Sequence, residues 1–316
     1  MRLITAIQLT RLTMAFGAVS DVWFVILLTR GLGGFDHLPV AQMDLIPALL
    51  AGAALAIGLF AYGASLNDVL DARHDSAFSP ERPIPAGRIR PAQAVVVTVG
   101  ALIVAMLAAE SFGKPALWIG MLTAAALLFY NATGKFIPAV GLVTIGLIHA
   151  AHMLLPNYQL GFTWPVWLVM THSLAGAIAV HVLEDKRPRL TRNAFIGVIA
   201  GWVFWSALLL GVGVYREGWW PDHITPRAVI YPAITVVLFC AVAYWKTRRI
   251  TGRVAAEKLK RYGAMWQCLY GAAWLLALGL TTQAMWIGAF AVCGFLGMTL
   301  IKEISGVSGK PMTYRL

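Results

Sequence analysis

The sequence predicts an all-α integral membrane protein of nine to ten transmembrane helices. Three observations lead there: its composition, the length of its apolar runs, and the placement of its lysines and arginines. Hydrophobic residues make up 59% of the 316 residues and charged residues only 12%, where a soluble domain carries about 25% charge. The mean hydropathy of +0.73 agrees, and a water-soluble core of this size needs more polar surface to cover it. A helix needs about 20 apolar residues to cross the hydrocarbon layer. Candidate runs lie near 12–30, 45–66, 92–109, 115–131, 138–156, 164–183, 194–214, 228–245, 263–281 and 284–301. With strict alternation, the loops on the side of the N-terminus hold 21 of the 25 lysines and arginines. The other side holds Arg30, Lys114, Arg216 and Arg227. That asymmetry makes the basic side cytoplasmic. The expected location is the bacterial inner membrane, with the N-terminus and the polar loops inside.

Taken in chain order, the first run follows Arg2 and Arg11 and shows no small-residue cleavage site, so it reads as a retained span and not a signal peptide. The second run leads directly into the polar segment 67–91. The fourth closes on Tyr130-Asn131, with Lys135 just beyond. The fifth and sixth carry His149, His152, His172 and His181 in or at the ends of the spans. Ionisable groups inside a membrane are functional candidates by default. Here the expectation is neutral histidines lining the interior. A metal pair at His149 and His152 is the lesser reading, since no third ligand follows at metal spacing. Trp118, Trp164, Trp167, Trp219 and Trp220 sit near outer ends, as an interfacial aromatic belt does. Gly52, Gly58, Gly141 and Gly146 suit close helix packing. The ninth and tenth runs are separated by little more than Gln283. They are either two crossings or one broken unit, hence the count of nine or ten. The largest polar segments, 67–91 and 246–262, are too short for a soluble domain, so residues 1–316 read as one transmembrane domain.

The net charge of +11 reflects membrane orientation, because the basic residues fall between apolar runs and form no patch for nucleic acid. No obligate protein partner is implied. Cys240, Cys268 and Cys293 are odd in number and match no metal spacing; they read as small buried hydrophobes.

The chemistry concentrates after the second span. With no Gly or Pro in 64–78, the helix is expected to continue, which stacks Asn67, Asp71 and Asp75 on one face about 6 Å apart, with Asp68 beside them. Stacked carboxylates repel, and a charge near the bilayer centre costs about 2.5–3.5 kcal/mol. A compensating cation is therefore expected. Mg²⁺ suits such hard oxygen ligands and keeps coordination sites for a phosphate. The following Arg82-Pro83-Ile84-Pro85-Ala86-Gly87-Arg88 forces a fixed non-helical loop, whose Arg82 and Arg88 suit diphosphate oxygens.

NDVLDARHD followed by ERPIPAGRI resembles the first signature of the UbiA superfamily of membrane prenyltransferases. The resemblance implies a ring of about nine helices around a central cavity and a Mg²⁺-dependent transfer of a prenyl group. The donor would be a prenyl diphosphate drawn from membrane lipid, and the acceptor a lipophilic or aromatic molecule. It implies metal ligation by Asn67, Asp68, Asp71 and Asp75, with Asp71 and Asp75 in catalysis. Tyr130 and Lys135 would line the diphosphate pocket as catalytic residues, and Asn131 would help to bind the diphosphate. The second aspartate-rich motif of the family is reduced here to Glu184 and Asp185 within HVLEDKRPR, an erosion shared with EboC-type members. Three outcomes stay open. Glu184 and Asp185 hold a second Mg²⁺; Lys186, Arg187 or Arg189 meets the diphosphate directly; or catalysis is lost. A UbiA-like terpene cyclase and a non-catalytic isoprenoid-binding or transport protein are the alternatives.

Overall fold

The computed structural model describes residues 9–11, 15–222 and 224–307. Of the basic residues assigned to the inner side, Arg2, Lys310 and Arg315 lie outside that range. Each of the ten apolar runs is occupied by a helix, and no strand occurs among the described residues. The helices of seven residues or more are α1 Phe16–Leu32, α2 Leu45–Leu70, α3 Ala72–Phe78, α4 Pro91–Glu110, α5 Lys114–Ala132, α6 Pro138–Met153, α7 Trp164–Leu183, α8 Arg192–Glu217, α9 Ile230–Thr247, α10 Gly252–Ala277 and α11 Thr281–Val307. Prolines at the first or second position start α4, α5, α6 and α7, where the missing N–H has no partner to lose. The ninth and tenth runs are separate helices, parted at Leu278–Leu280.

The expected count of nine to ten crossings is not confirmed. Among the described residues, six helices are long and apolar enough to cross a membrane: α2, α4, α5, α7, α8, and α9 together with the turn before it. Helix α6, at 16 residues, and the apolar part of α11 are shorter. Helix α10 opens on the polar stretch Gly252–Arg261 before turning apolar.

Helices α1, α2, α5, α6, α7 and α10 pack in sequence into a ring, with α1 and α10 closing it. Helix α4 lies outside against α2, α8 against α6, α9 against α10, and α11 against α10 and α1. Helix α1, packed against α2, α6, α10 and α11, is buried on nearly all faces, Asp21 included. The outer helices expose Val96, Leu107, Phe204 and Val237, a surface suited to lipid.

The small residues act as expected. A Cβ on Gly58 would meet Ala101 O and Ala105 at 2.9 Å, and one on Gly141 would meet Gly134 O at 2.4 Å. The cysteines differ from expectation: Cys268 is buried, but Cys240 and Cys293 are exposed on outer helices, where an apolar thiol is compatible with lipid.

Candidate functional site

Ion pairs draw the segment before α1, the α2–α3 region, the loop after α3 and the turn before α6 together, and a further pair joins the end of α7 to α10. Helix α2 ends at Leu70 and α3 begins at Ala72, so the uninterrupted helix expected over 64–78 is corrected. The backbone kinks at Asp71 (φ −89°, ψ 1°) without Gly or Pro, at an aspartate, a residue with weak helix preference. Hydrogen bonds from Asp71 N to Asn67 O (2.9 Å) and from Asp75 N to Asp71 O (2.8 Å) carry the helical spacing through the kink. Half-buried Asn67 therefore stays in register with Asp71 and Asp75.

The loop after α3 is held down by Ile84 and Ile89, which pack with Leu9 and Ala94 against Val69 and Ala72. This anchoring turns Arg82 inward. Its Nη1 lies 2.7 Å from Asp75 Oδ2 and 3.4 Å from Asp68 Oδ1. Arg11 Nη2, from the segment before α1, lies 2.8 Å from the same Asp68 oxygen. Lys135, in the turn before α6, places Nζ 2.5 Å from Asp71 Oδ1. Each of the three aspartates thus has a basic partner. The compensating cation is supplied by Arg11, Arg82 and Lys135, which corrects the inference that charge repulsion alone demands a metal. Burial pushes the Asp75 carboxyl above the ordinary carboxylate range, against the lowering influence of Arg82. Arg82 Nε is buried without a hydrogen-bond partner, a spare donor facing a site suited to an anion.

Arg88 turns away. Its side chain donates to the Glu81 carbonyl within the loop. Asn131 is also committed, its amide donating to Gly63 O (3.3 Å) and Leu127 O (2.9 Å), which ties α5 to α2. Tyr130 lies where the charges of Glu184, Arg11 and Asp71 all act on it.

The second motif enters from α7. Glu184 Oε1 accepts from Lys260 Nζ of α10 at 2.6 Å, and Oε2 lies 3.3 Å from Lys186. Burial opposes ionisation of Glu184, but Lys186 and Lys260 outweigh it and hold the carboxyl below the usual range. Asp185 points outward, paired with Arg189 at 3.1 Å and Arg187 at 3.6 Å.

Among the described residues no three His, Cys, Asp or Glu side chains converge into a ready metal cage. Mg²⁺ ordinarily uses one or two carboxylates and completes its shell with substrate phosphate and water. The Asn67, Asp68, Asp71 and Asp75 oxygens suit that mode, and Asp71, with 23% of its side chain accessible, is the most open of the three aspartates. Glu184 and Asp185 do not suit it, one having both oxygens engaged by lysines and the other facing away.

A second polar layer lies deeper. Asp21, only 2% exposed, places Oδ2 3.4 Å from His149 Nδ1. Gln267 Nε2 reaches His149 Nδ1 (3.3 Å) and Ser173 Oγ (3.2 Å). His172 contacts Gly263 O and the Tyr270 hydroxyl. At 1.5 Å per residue, Gln267 sits roughly 10 Å along α10 from Lys260, and Ser173 roughly 16 Å along α7 from Glu184. The layer is therefore well separated from the Glu184–Lys260 pair along both helices. His149 and His152 form no metal pair: His149 faces Asp21 and Gln267, and His152 Nε2 is buried without a partner.

Sequence reasoning missed Arg11, Lys260, Asp21 and Gln267. Arg11 and Lys260 read as orientation charges. Asp21, a lone acid in an apolar run, was a signal open to notice.

A family model described as the UbiA prenyltransferase family matches residues 22–267. Digeranylgeranylglyceryl phosphate synthases of Methanothrix thermoacetophila and Methanopyrus kandleri are each 32% identical. The first aligns over 102 residues (32% of this chain, 38% of the relative) and the second over 108 (34% and 39%). The aligned part thus spans about two-fifths of those relatives. A solved structure from work on digeranylgeranylglyceryl phosphate synthase in membranes covers 87% of this chain and 98% of its own, with a TM-score of 0.54 and 19% identity; it shares the fold.

Proposed function

The chain belongs to the UbiA prenyltransferase family, and from that premise we propose that it moves a prenyl group from a Mg²⁺-bound prenyl diphosphate to a lipophilic acceptor within the membrane. One observation carries this reading: Asp68, Asp71 and Asp75 meet Arg11, Arg82 and Lys135 at one end of an otherwise apolar bundle. Asn67, Asp68, Asp71 and Asp75 would hold the ion. When bound, Mg²⁺ neutralises the diphosphate and makes it a better leaving group.

The protein's own part is to bind and to shield. Arg82, with its unused Nε, and Lys135 answer the negative charge that grows on the diphosphate as the allylic C1–O bond breaks and the electron pair leaves with it. Tyr130 orders the rim of that pocket. The prenyl tail lies among apolar side chains between helices, where water is excluded from the allylic cation. The acceptor's nucleophilic atom then forms the new bond to C1 and gives up its proton. The relatives are named for a prenylated glyceryl phosphate, so an alcohol-bearing lipid is the acceptor class favoured here over an aromatic ring. The basic end of the bundle faces the cytoplasm in this reading.

Asp71→Asn tests it. In purified protein supplied with geranylgeranyl diphosphate, Mg²⁺ and a membrane lipid extract, the variant should lose pyrophosphate release about 100-fold or more. Undiminished turnover would reject the carboxylate assignment. Cyclic hydrocarbon products formed from the diphosphate alone would favour a terpene cyclase instead.

A further inference from the structure

The reduced second motif has a charge arrangement of its own. Glu184 is its one inward acid, and both of its oxygens are taken, by Lys260 at 2.6 Å and Lys186 at 3.3 Å. Lys260 comes from α10, far along the chain, and 14% of its side chain is accessible. Asp185 has positive φ (46°), is 63% accessible and pairs with exposed arginines. The motif therefore delivers lysine ammonium groups, not free carboxylate oxygens, to the site.

Charge balance gives this consequence. Four carboxylates, Asp68, Asp71, Asp75 and Glu184, face five cations, Arg11, Arg82, Lys135, Lys186 and Lys260, a net charge of +1. A prenyl diphosphate carries about −3 near neutral pH. One divalent ion with one diphosphate brings the assembly to neutrality. A second ion would leave +2 in a site shielded from water, where uncompensated charge is costly. Lysine is moreover a compact point charge that binds phosphate.

We propose that this site takes its diphosphate with a single divalent ion, and that Lys260 passes from Glu184 to a diphosphate oxygen where a second ion would otherwise be required. The inference rests on the diphosphate reading above and deepens it.

The test counts metal and needs no turnover. Full-length protein in detergent is titrated with a non-hydrolysable geranylgeranyl thiolodiphosphate in the presence of Mn²⁺. Calorimetry gives the affinity, and the free-Mn²⁺ EPR signal gives the ions bound. The wild type and Glu184→Gln should each bind one Mn²⁺ per analogue. Lys260→Met should weaken the analogue about tenfold or more, the scale of a lost hydrogen bond to a charged group. Lys260→Arg, which keeps the charge and reports that the fold tolerates change there, should stay within about threefold. Two Mn²⁺ per analogue in the wild type, falling to one in Glu184→Gln, would overturn the proposal, as would wild-type affinity in Lys260→Met. A wild type that binds no analogue at any Mn²⁺ concentration would overturn the diphosphate reading itself.

Discussion

Arg82→Met removes one guanidinium from between two carboxylates, and the two are not affected equally. Asp68 keeps Arg11 at 2.8 Å. Asp75 loses its partner at 2.7 Å and is left with His74 at 4.0 Å, on a side chain only 5% accessible. Breaking a buried pair from one side costs about 3–5 kcal/mol. The low end applies, because Arg82 is itself 13% accessible and burial already favours the neutral form of Asp75. A loss of about 3 kcal/mol lowers the unfolding midpoint by roughly 4–5 °C in a chain of this size. The double variant Arg82→Met, Asp75→Asn removes both charges and should regain about 2 kcal/mol of that loss. Thermal unfolding in detergent micelles, followed by the fluorescence of the 12 tryptophans, reads both values. A shift under about 2 °C for the single variant, or a double variant less stable than the single one, would refute the pairing argument.

Gly141→Ala places a methyl 2.4 Å from the Gly134 backbone oxygen. It should cost about 1–3 kcal/mol, read by the same unfolding assay, because backbone cannot swing aside as a side chain can. Asn131→Ala should lower stability by about 1 kcal/mol while leaving the KM for prenyl diphosphate unchanged, since its amide is spent on Gly63 and Leu127 carbonyls; a raised KM would return Asn131 to the substrate. Glu184 has a lowered native pKa, so its stabilising contribution is complete above the ordinary carboxylate range and is lost as pH falls through the lowered value. Glu184→Gln should therefore be less stable than wild type at neutral pH, and the gap should close as the pH falls through that lowered value.

The expectations that held are those in which the bilayer leaves the chain few choices. A run of about 20 apolar residues has to form a helix, because lipid offers its backbone no partners, and each of the ten runs did. The first aspartate motif was legible for a related reason: Asn67, Asp68, Asp71 and Asp75 lie within nine residues, so helical spacing alone keeps them together even across the kink at Asp71. The count of crossings was not legible in the same way, since α6 and the apolar part of α11 are short and α10 is polar at its start.

What sequence alone determined is thus local: the helices, and the spacing of the acidic residues along one of them. Which cation meets which carboxylate was decided by tertiary structure. Seven basic residues lie between Lys246 and Arg261, and nothing local separates Lys260 from the rest until α10 packs on α7 and brings it to Glu184. Arg11 and Asp68 are 57 positions apart, and Asp21 and His149 are 128 apart. The reason is physical: helical periodicity relates residues a few positions apart, whereas an ion pair depends on distance in space, and that is fixed only when helices remote in the chain are packed together.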